Sequence, residues 1–299
     1  SEKTLQQAIN NGDFSGCVII RPISTGKYSS CVLKINGNVF CWGGDLSGQA
    51  QPYLGGDAVS VVSGGSHNCV LKRNGNVDCW GWNGWGQSND YNGGDVVDIW
   101  AGSVNTCALK SNGNVQCWGD NTYGVNAGYS GGDAIKLMSS ESDLNHVCIV
   151  KSNGNVGCWG KNSYLGIPHN CVITYNGGDA ISVAGSWEHT SVLKSDGTIQ
   201  SWGARNLYGE VIQYNVGDAV EITGSIGGVC ALKSNGNVQC WGQNNDGSLN
   251  PYSGGDGRYI NVASNHGCVL KNNRNVDCYG SSVDGKNADY GGGDAVIPG

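Results

Sequence analysis

Cysteine is the residue type whose spacing in this chain carries the clearest chemistry. Twelve of the fourteen cysteines fall into six pairs, each pair ten positions apart: Cys31 and Cys41, Cys69 and Cys79, Cys107 and Cys117, Cys148 and Cys158, Cys230 and Cys240, Cys268 and Cys278. A seventh copy of the spacing, at Ser191 and Ser201, has lost both cysteines together. Isolated thiols or independent metal ligands would have no reason to vanish as a pair, so the spacing predicts six disulfides. A zinc site needs four ligands, usually with a Cys-x-x-Cys knuckle, and the sequence has no such knuckle. No metal is expected. Cys17 and Cys171 stand outside the pattern. They either bond to each other, which is the simpler arrangement, or one of them tethers a second molecule.

The other chemistry-bearing residues also recur in register. His67, His146, His189 and His266 each stand two positions before the first cysteine of a pair or its serine equivalent. A residue reused by register is more often architecture than a catalytic base. Paired unlike carboxylates for hydrolysis and Asp-x-Asp-x-Asp-Gly calcium loops are both missing, so no catalytic residue, no enzyme activity and no cofactor is expected. A marker of the form Tyr-x-Gly/Val-Gly-Asp recurs seven times: Tyr53 and Asp57, Tyr91 and Asp95, Tyr129 and Asp133, Tyr175 and Asp179, Tyr214 and Asp218, Tyr252 and Asp256, Tyr290 and Asp294. Two roles fit it. In one, the Asp caps backbone amides of a turn and the Tyr packs across it. In the other, each copy offers a sugar an aromatic face and a carboxylate acceptor.

These residues must be positioned by a repeating element. The aromatic after the second cysteine falls at Trp42, Trp80, Trp118, Trp159, Trp202, Trp241 and Tyr279, in steps of 38, 38, 41, 43, 39 and 38 residues. Periods of this length signal a repeat architecture. Within a copy, apolar runs of four to six residues are bounded by turn formers, which reads as strands. The hairpin has a defined register. If Ser111-Asn112-Gly113 is a three-residue loop with Gly113 left-handed, Lys110 faces Asn114 and Cys107 faces Cys117 in a non-hydrogen-bonded pair, close enough for a disulfide. A two-residue loop would place Cys107 opposite Trp118 instead. The same alternation makes both faces of the hairpin apolar, so each small sheet must lie between neighbours.

The fold class expected is therefore all-β: a seven-bladed β-propeller of about 38-residue repeats, with a disulfide across the hairpin of six blades. The expected organisation is one propeller domain over 1–299. Residues 1–25 form an N-terminal arm with a short helix, 26–291 the seven repeats, and 292–299 a C-terminal strand closing the ring on blade one. Blade one's own first strand is interrupted by Pro22.

Composition narrows the setting. Glycine is 51 of 299 residues, which argues against a helical protein, and ten Trp with thirteen Tyr argue against a disordered one. The formal charge of −7 leaves no electrostatic footprint for nucleic acid. No apolar run approaches the roughly 20 residues of a membrane span, and no leader-like segment stands at Ser1, so membrane insertion is not expected. The disulfides point to a secreted, extracellular chain.

The segment from Ser66-His67-Asn68-Cys69-Val70-Leu71-Lys72 through Asn74-Gly75-Asn76-Val77 to Trp80-Gly81-Trp82-Asn83-Gly84-Trp85-Gly86-Gln87 resembles the repeat of the regulator of chromosome condensation family. The likeness recurs seven times and implies a seven-bladed propeller with structural histidines. The nuclear member of that family handles a small GTPase and chromatin, a role that the disulfides and acidity argue against. The layout is also similar to the secreted β-lactamase inhibitory protein of the same fold. Arg274 stands where the repeat calls for a left-handed glycine, which should strain the seventh hairpin.

Two recognition roles follow as expectations. The first is a multivalent lectin that binds glycans at the seven Tyr and Asp turns. The second is an inhibitor or adhesion protein binding one protein partner through the turn before each hairpin, whose residues vary from copy to copy. Tyr28, Trp100, Trp187 and Glu188 are the candidates on that face. Trp82 and Trp85, in the loop after the second hairpin, are expected on a different edge. A purely structural role ranks third.

Overall fold

The computed structural model describes residues 18–138, 146–161, 163–164, 167–168, 174–185, 189–203, 209 and 211–298. Seven antiparallel sheets of three or four strands follow one another along the chain as seven blades, and a two-stranded sheet, Ser163–Tyr164 with Ile167–Pro168, lies between blades four and five in sequence. Blade two shows the plan: an inner strand Ala58–Ser63, a middle strand His67–Lys72 and an outer strand Val77–Gly81. Tyr91 then adds a bridge to Val77 on the outer edge. Blade three repeats it with Val96–Ala101, Asn105–Lys110 and Val115–Gly119. Blade five extends the outer edge with a two-residue strand, Gln213–Tyr214. The predicted short N-terminal helix, Cys17 and Cys171 lie outside the described residues.

The hairpins obey the expected register. Cys107 faces Cys117, Lys110 N–H donates to Asn114 O at 2.9 Å, and Gly113 has φ of 77°. A Cβ on Gly113 would sit 2.3 Å from Gly132 O, so close approach as well as handedness requires glycine there. All six cross-hairpin disulfides are present, with Cα atoms 4.0 to 4.1 Å apart. In blade five the serines stand in the same pairing and Ser191 Oγ lies 2.7 Å from Ser201 Oγ. Arg274 does adopt the left-handed conformation, with φ of 66°, and its guanidinium donates to Ala295 O at 3.2 Å.

The core lies between blades, because both faces of each sheet are apolar. Val62, Leu71 and Val77 of blade two pack with Val96, Ile99 and Ala108 of blade three. Each such side chain contributes about 2 kcal/mol through burial. The inner strand of blade one, Ile23–Thr25, packs against the inner strands of blades two and seven, which closes the ring. Ala295 bridges Lys34, and Val296 N–H donates to Leu33 O at 2.9 Å. Residues 294–296 and 22–25 together thus line the middle strand of blade one, Ser29–Leu33. Pro22 is tolerated because only its carbonyl is needed there: it accepts from Leu33 N–H at 2.7 Å.

Candidate functional site

Every turn of a propeller blade emerges at one of two ends, and the ends of this ring differ in chemistry. The hairpin loops share one end with the Tyr and Asp markers, since Ala134 N–H donates to Gly113 O at 3.1 Å just after the marker of blade three. There the two marker groups engage each other. Tyr91 Oη donates to Asp95 Oδ1 at 2.6 Å, and the same hydrogen bond recurs from Tyr53, Tyr129, Tyr175, Tyr214, Tyr252 and Tyr290 to their aspartates. In six of the seven the second aspartate oxygen faces a lysine of the following blade, as in Lys72 with Asp57 at 3.7 Å and Lys233 with Asp218 at 3.0 Å. At five seams the tyrosine ring stacks on the next blade's tryptophan, as Tyr91 on Trp118 at 6.3 Å and 16° and Tyr175 on Trp202 at 6.1 Å and 5°, and Tyr214 meets Trp241 edge-on at 63°.

The joint that closes the ring is built the same way. Tyr290 stacks on Trp42 at 6.2 Å, and Asp294 pairs with Lys34 at 3.0 Å. The fourteen marker residues therefore latch each blade to the next. Electrostatics agree with this geometry. Burial, followed by the hydrogen bond to Asp179, pushes the Tyr175 hydroxyl up to about 12, so it remains a donor. At Asp218 and Asp294 burial acts upward on the carboxyl, and the tyrosine and lysine donors outweigh it, holding both below the usual carboxylate range.

The axis is filled. One inner-strand position per blade points inward, and its residues do not repeat: Ser60, Asp98, Lys136, Ser182, Glu221 and Tyr259, with Arg21 completing the set. The Arg21 guanidinium grips Asp98 through two bonds of 2.9 and 3.0 Å and donates to Leu137 O at 3.2 Å. Lys136 pairs with Glu221 at 3.3 Å and donates to Ser182 Oγ at 3.1 Å. Two cations thus meet two anions in a buried plug. Two of the recurring histidines bridge neighbouring blades: His67 Nε2 lies 2.9 Å from Thr106 Oγ1 on blade three, and His266 Nε2 lies 2.7 Å from Ser30 Oγ on blade one. Among the described residues no cluster of three or more His, Cys, Asp or Glu could hold a metal ion.

The opposite end carries the turn before each hairpin and, beside it, the loop after each outer strand. Trp82 N–H donates to Ser66 O at 2.8 Å, and Gly44 N–H donates to Tyr28 O at 2.7 Å. Trp82 and Trp85 therefore share an end with Tyr28, against the expectation of a different edge. The signal was in the strand count: three antiparallel strands return the chain to the end where the first turn lies. Trp100 corrects a second expectation. It is 2 % exposed, paired with Cys107 inside blade three, and cannot anchor a partner. Trp187 and Glu188 lie outside the described residues. Tyr28 is exposed, and with Leu46, Trp82, Trp85, Tyr123 and Val283 it forms an apolar arc over blades seven, one, two and three. Leu46, Tyr123 and Val283 were not singled out from the sequence, because each is an isolated apolar residue in a polar loop.

The described family model for the Regulator of chromosome condensation (RCC1) repeat matches residues 20–49, 58–90 and 96–125. These are the first three blades, with inner, middle and outer strands in the order just given. The chain carries RCC1-type repeats. Solved structures agree with this repeat propeller over its whole length. The CRINKLY WD40 ectodomain of the Arabidopsis thaliana receptor kinase ACR4 is similar, with a TM-score of 0.73 and 17% identity over 93% of this chain and 98% of that one. The entire ectodomain of the Physcomitrella patens receptor kinase CR4 gives 0.70 and 18% over 88% and 74%. Prp20p from Saccharomyces cerevisiae, studied for its binding to Gsp1p and histones, gives 0.68 and 16% over 98% and 89%. At such identities the likeness to an RCC1-type propeller is one of fold. No curated protein sequence matches the chain.

Proposed function

We propose that this RCC1-type propeller is a non-enzymatic recognition module of an oxidising, extracellular setting, and that it binds a protein partner through the turn end of blades seven, one, two and three. The observation that carries the reading is the apolar arc. Large aromatic and aliphatic side chains, with Leu46 fully exposed and Trp85 59 % exposed, gather on one end of adjacent blades. Tryptophan and tyrosine at that density are the residues that anchor protein interfaces. On the hairpin end Ile35, Leu54 and Val216 are exposed but aliphatic, and the marker tyrosines and aspartates are engaged with one another. Prp20p, of similar fold, binds proteins, and six disulfides favour an oxidising compartment. No helix of the described residues is long and apolar enough to cross a membrane.

Glycan binding is the second reading, and the same loop supports it. Trp82 and Trp85 are both exposed within four residues, with Asn83 and Asn89 side chains beside them. Such a platform would give one sugar site, not seven. A photo-crosslinking amino acid placed at position 85, with position 73 on the hairpin end as control, separates the readings. Protein adducts from extracellular fluid at 85 alone support the protein partner. Absence of adducts together with glycan-array binding that Trp85→Ala abolishes would replace it with the lectin reading.

A further inference from the structure

The turn end carries exposed carboxylates beside its apolar surface, and these bear on what its partner must present. Seven lysines at the ends of the middle strands, from Lys34 to Lys271, lie on the hairpin end, where seam aspartates or Asp78 and Asp277 hold them. The described turn-end loops carry exposed carboxylates at Asp45, Asp246 and Asp284, with Asp120 partly exposed, and the cations there are Lys27, Lys161 and the buried Lys286. Asp45, Asp120 and Asp246 accept hydrogen bonds from their own loops and, among the described residues, from no lysine. Asp284 makes no ion pair among the described residues and stands in the left-handed conformation, φ 64°, next to Gly44 of blade one. The loop beyond Gly44 holds Asp45 and Leu46, and blade two then offers Trp82 and Trp85.

The molecule itself shows how this end holds a cation. Lys161 Nζ lies 4.4 Å from the centre of the Tyr123 ring and Lys27 Nζ 5.7 Å from that of Tyr28. Trp82 and Trp85, whose indoles are better cation–π acceptors than tyrosine, have no lysine or arginine of the described residues over them. Resting on the protein-binding reading above, we infer that the partner inserts a basic segment, with arginine or lysine side chains laid on Trp82 and Trp85 and facing the carboxylates of Asp284 and Asp45. Charge complementarity of this kind sets orientation and association rate, while the aromatic faces supply the anchor. Arginine suits the site better than lysine, because its planar, weakly hydrated guanidinium stacks on indole.

Capped hexa-arginine peptide is the probe, titrated calorimetrically against the intact, disulfide-bonded protein, with capped hexaglutamine as control. Hexa-arginine should bind and hexaglutamine should not. Trp85→Ala and Trp82→Ala should each weaken binding about fivefold, and Asp284→Asn about twofold to threefold. Asp196→Asn, which makes the same charge change on the hairpin end, should leave it unchanged. Asparagine tolerates the left-handed conformation at position 284, so that variant keeps its fold, and the tryptophans are exposed. Binding that survives both tryptophan substitutions, or that falls as much with Asp196→Asn as with Asp284→Asn, overturns the inference. The peptide assay does not need the natural partner. If a protein adduct forms at position 85 but hexa-arginine does not bind, the basic segment is refuted and the protein-binding reading stands; if neither occurs, both fall.

Discussion

Blade five provides a built-in test of what the six disulfides contribute, because serines occupy the cysteine positions there without any change of register. Converting Ser191 and Ser201 to cysteine should form a seventh bond. The loop it closes spans ten residues, as in the other blades, for which loop-closure entropy gives roughly 9 cal/mol/K, or about 3 kcal/mol at 25 °C. The exchange removes the hydroxyl hydrogen bond of 2.7 Å between the two serines, worth about 1 kcal/mol. The net gain is then about 2 kcal/mol. With an unfolding entropy of about 2.1 cal/mol/K per residue over 299 residues, this raises Tm by about 3 °C. The mirror experiment, Cys69→Ser with Cys79→Ser in blade two, should lower Tm by a similar amount, since the new hydroxyls can pair as they do in blade five. Mass spectrometry under non-reducing conditions reports the loss of two hydrogens on bond formation, and scanning calorimetry reports Tm. A seventh bond that forms and leaves Tm unchanged or lower would refute the entropic account of these staples.

Three further outcomes follow from the same geometry. Burial lowers His67 and His146 to about 4 from an ordinary 6.5, so the unfolded chain binds more protons between those values. Stability should be complete above pH 6.5 and fall toward pH 4, by roughly 3 kcal/mol per histidine; His67→Gln should flatten the fall in urea midpoint, and a flat wild-type profile would count against it. Arg21→Met should cost about 3–5 kcal/mol, because it strands the Asp98 carboxylate at the axis, whereas Arg21→Met with Asp98→Asn should recover much of it in the same denaturation assay. Tyr175→Phe should cost about 1 kcal/mol through the lost bond to Asp179 and leave hexa-arginine binding unaltered; a loss of binding would return the marker to the ligand.

The repeating part of the structure was legible in the sequence because repetition is itself an internal comparison. Cysteines ten apart, Gly113 three residues after Lys110 and tryptophans at steady steps jointly specify one hairpin, and two apolar faces per hairpin require neighbours on both sides. The Tyr and Asp marker was equally visible, but its role was not. Spacing within one copy shows that Tyr91 and Asp95 can meet; it does not show Lys110 and Trp118 arriving from the next blade. The axial plug was hidden for the opposite reason. Arg21, Asp98, Lys136 and Glu221 share no residue type, and only the inner-strand register brings them together. Trp100 misled because an aromatic outside the repeat pattern reads as surface, whereas it fills space behind Gly102.

Symmetry also separates what the ring needs from what it can vary. Seven seams of one design hold seven blades of nearly one sequence, and identical seams alone would not specify which blade meets which. The axial residues break that degeneracy. Arg21 pairs with Asp98 and Lys136 with Glu221, so a shifted closure would separate these charges from their partners in a low dielectric. On the turn end one side-chain contact repeats, Asp45, Asn83, Asn121 and Asn244 each accepting from the N–H five residues on, while the residues between differ from blade to blade. Beside those side-chain bonds, the loops are anchored by backbone hydrogen bonds such as Trp82 N–H to Ser66 O and Gly44 N–H to Tyr28 O, which are indifferent to side-chain identity. Side chains there can differ blade by blade at little cost in stability. A single face with tryptophans on blade two and an exposed carboxylate on blade seven is the kind of surface such variation permits, and it suits one asymmetric partner better than seven equal ligands.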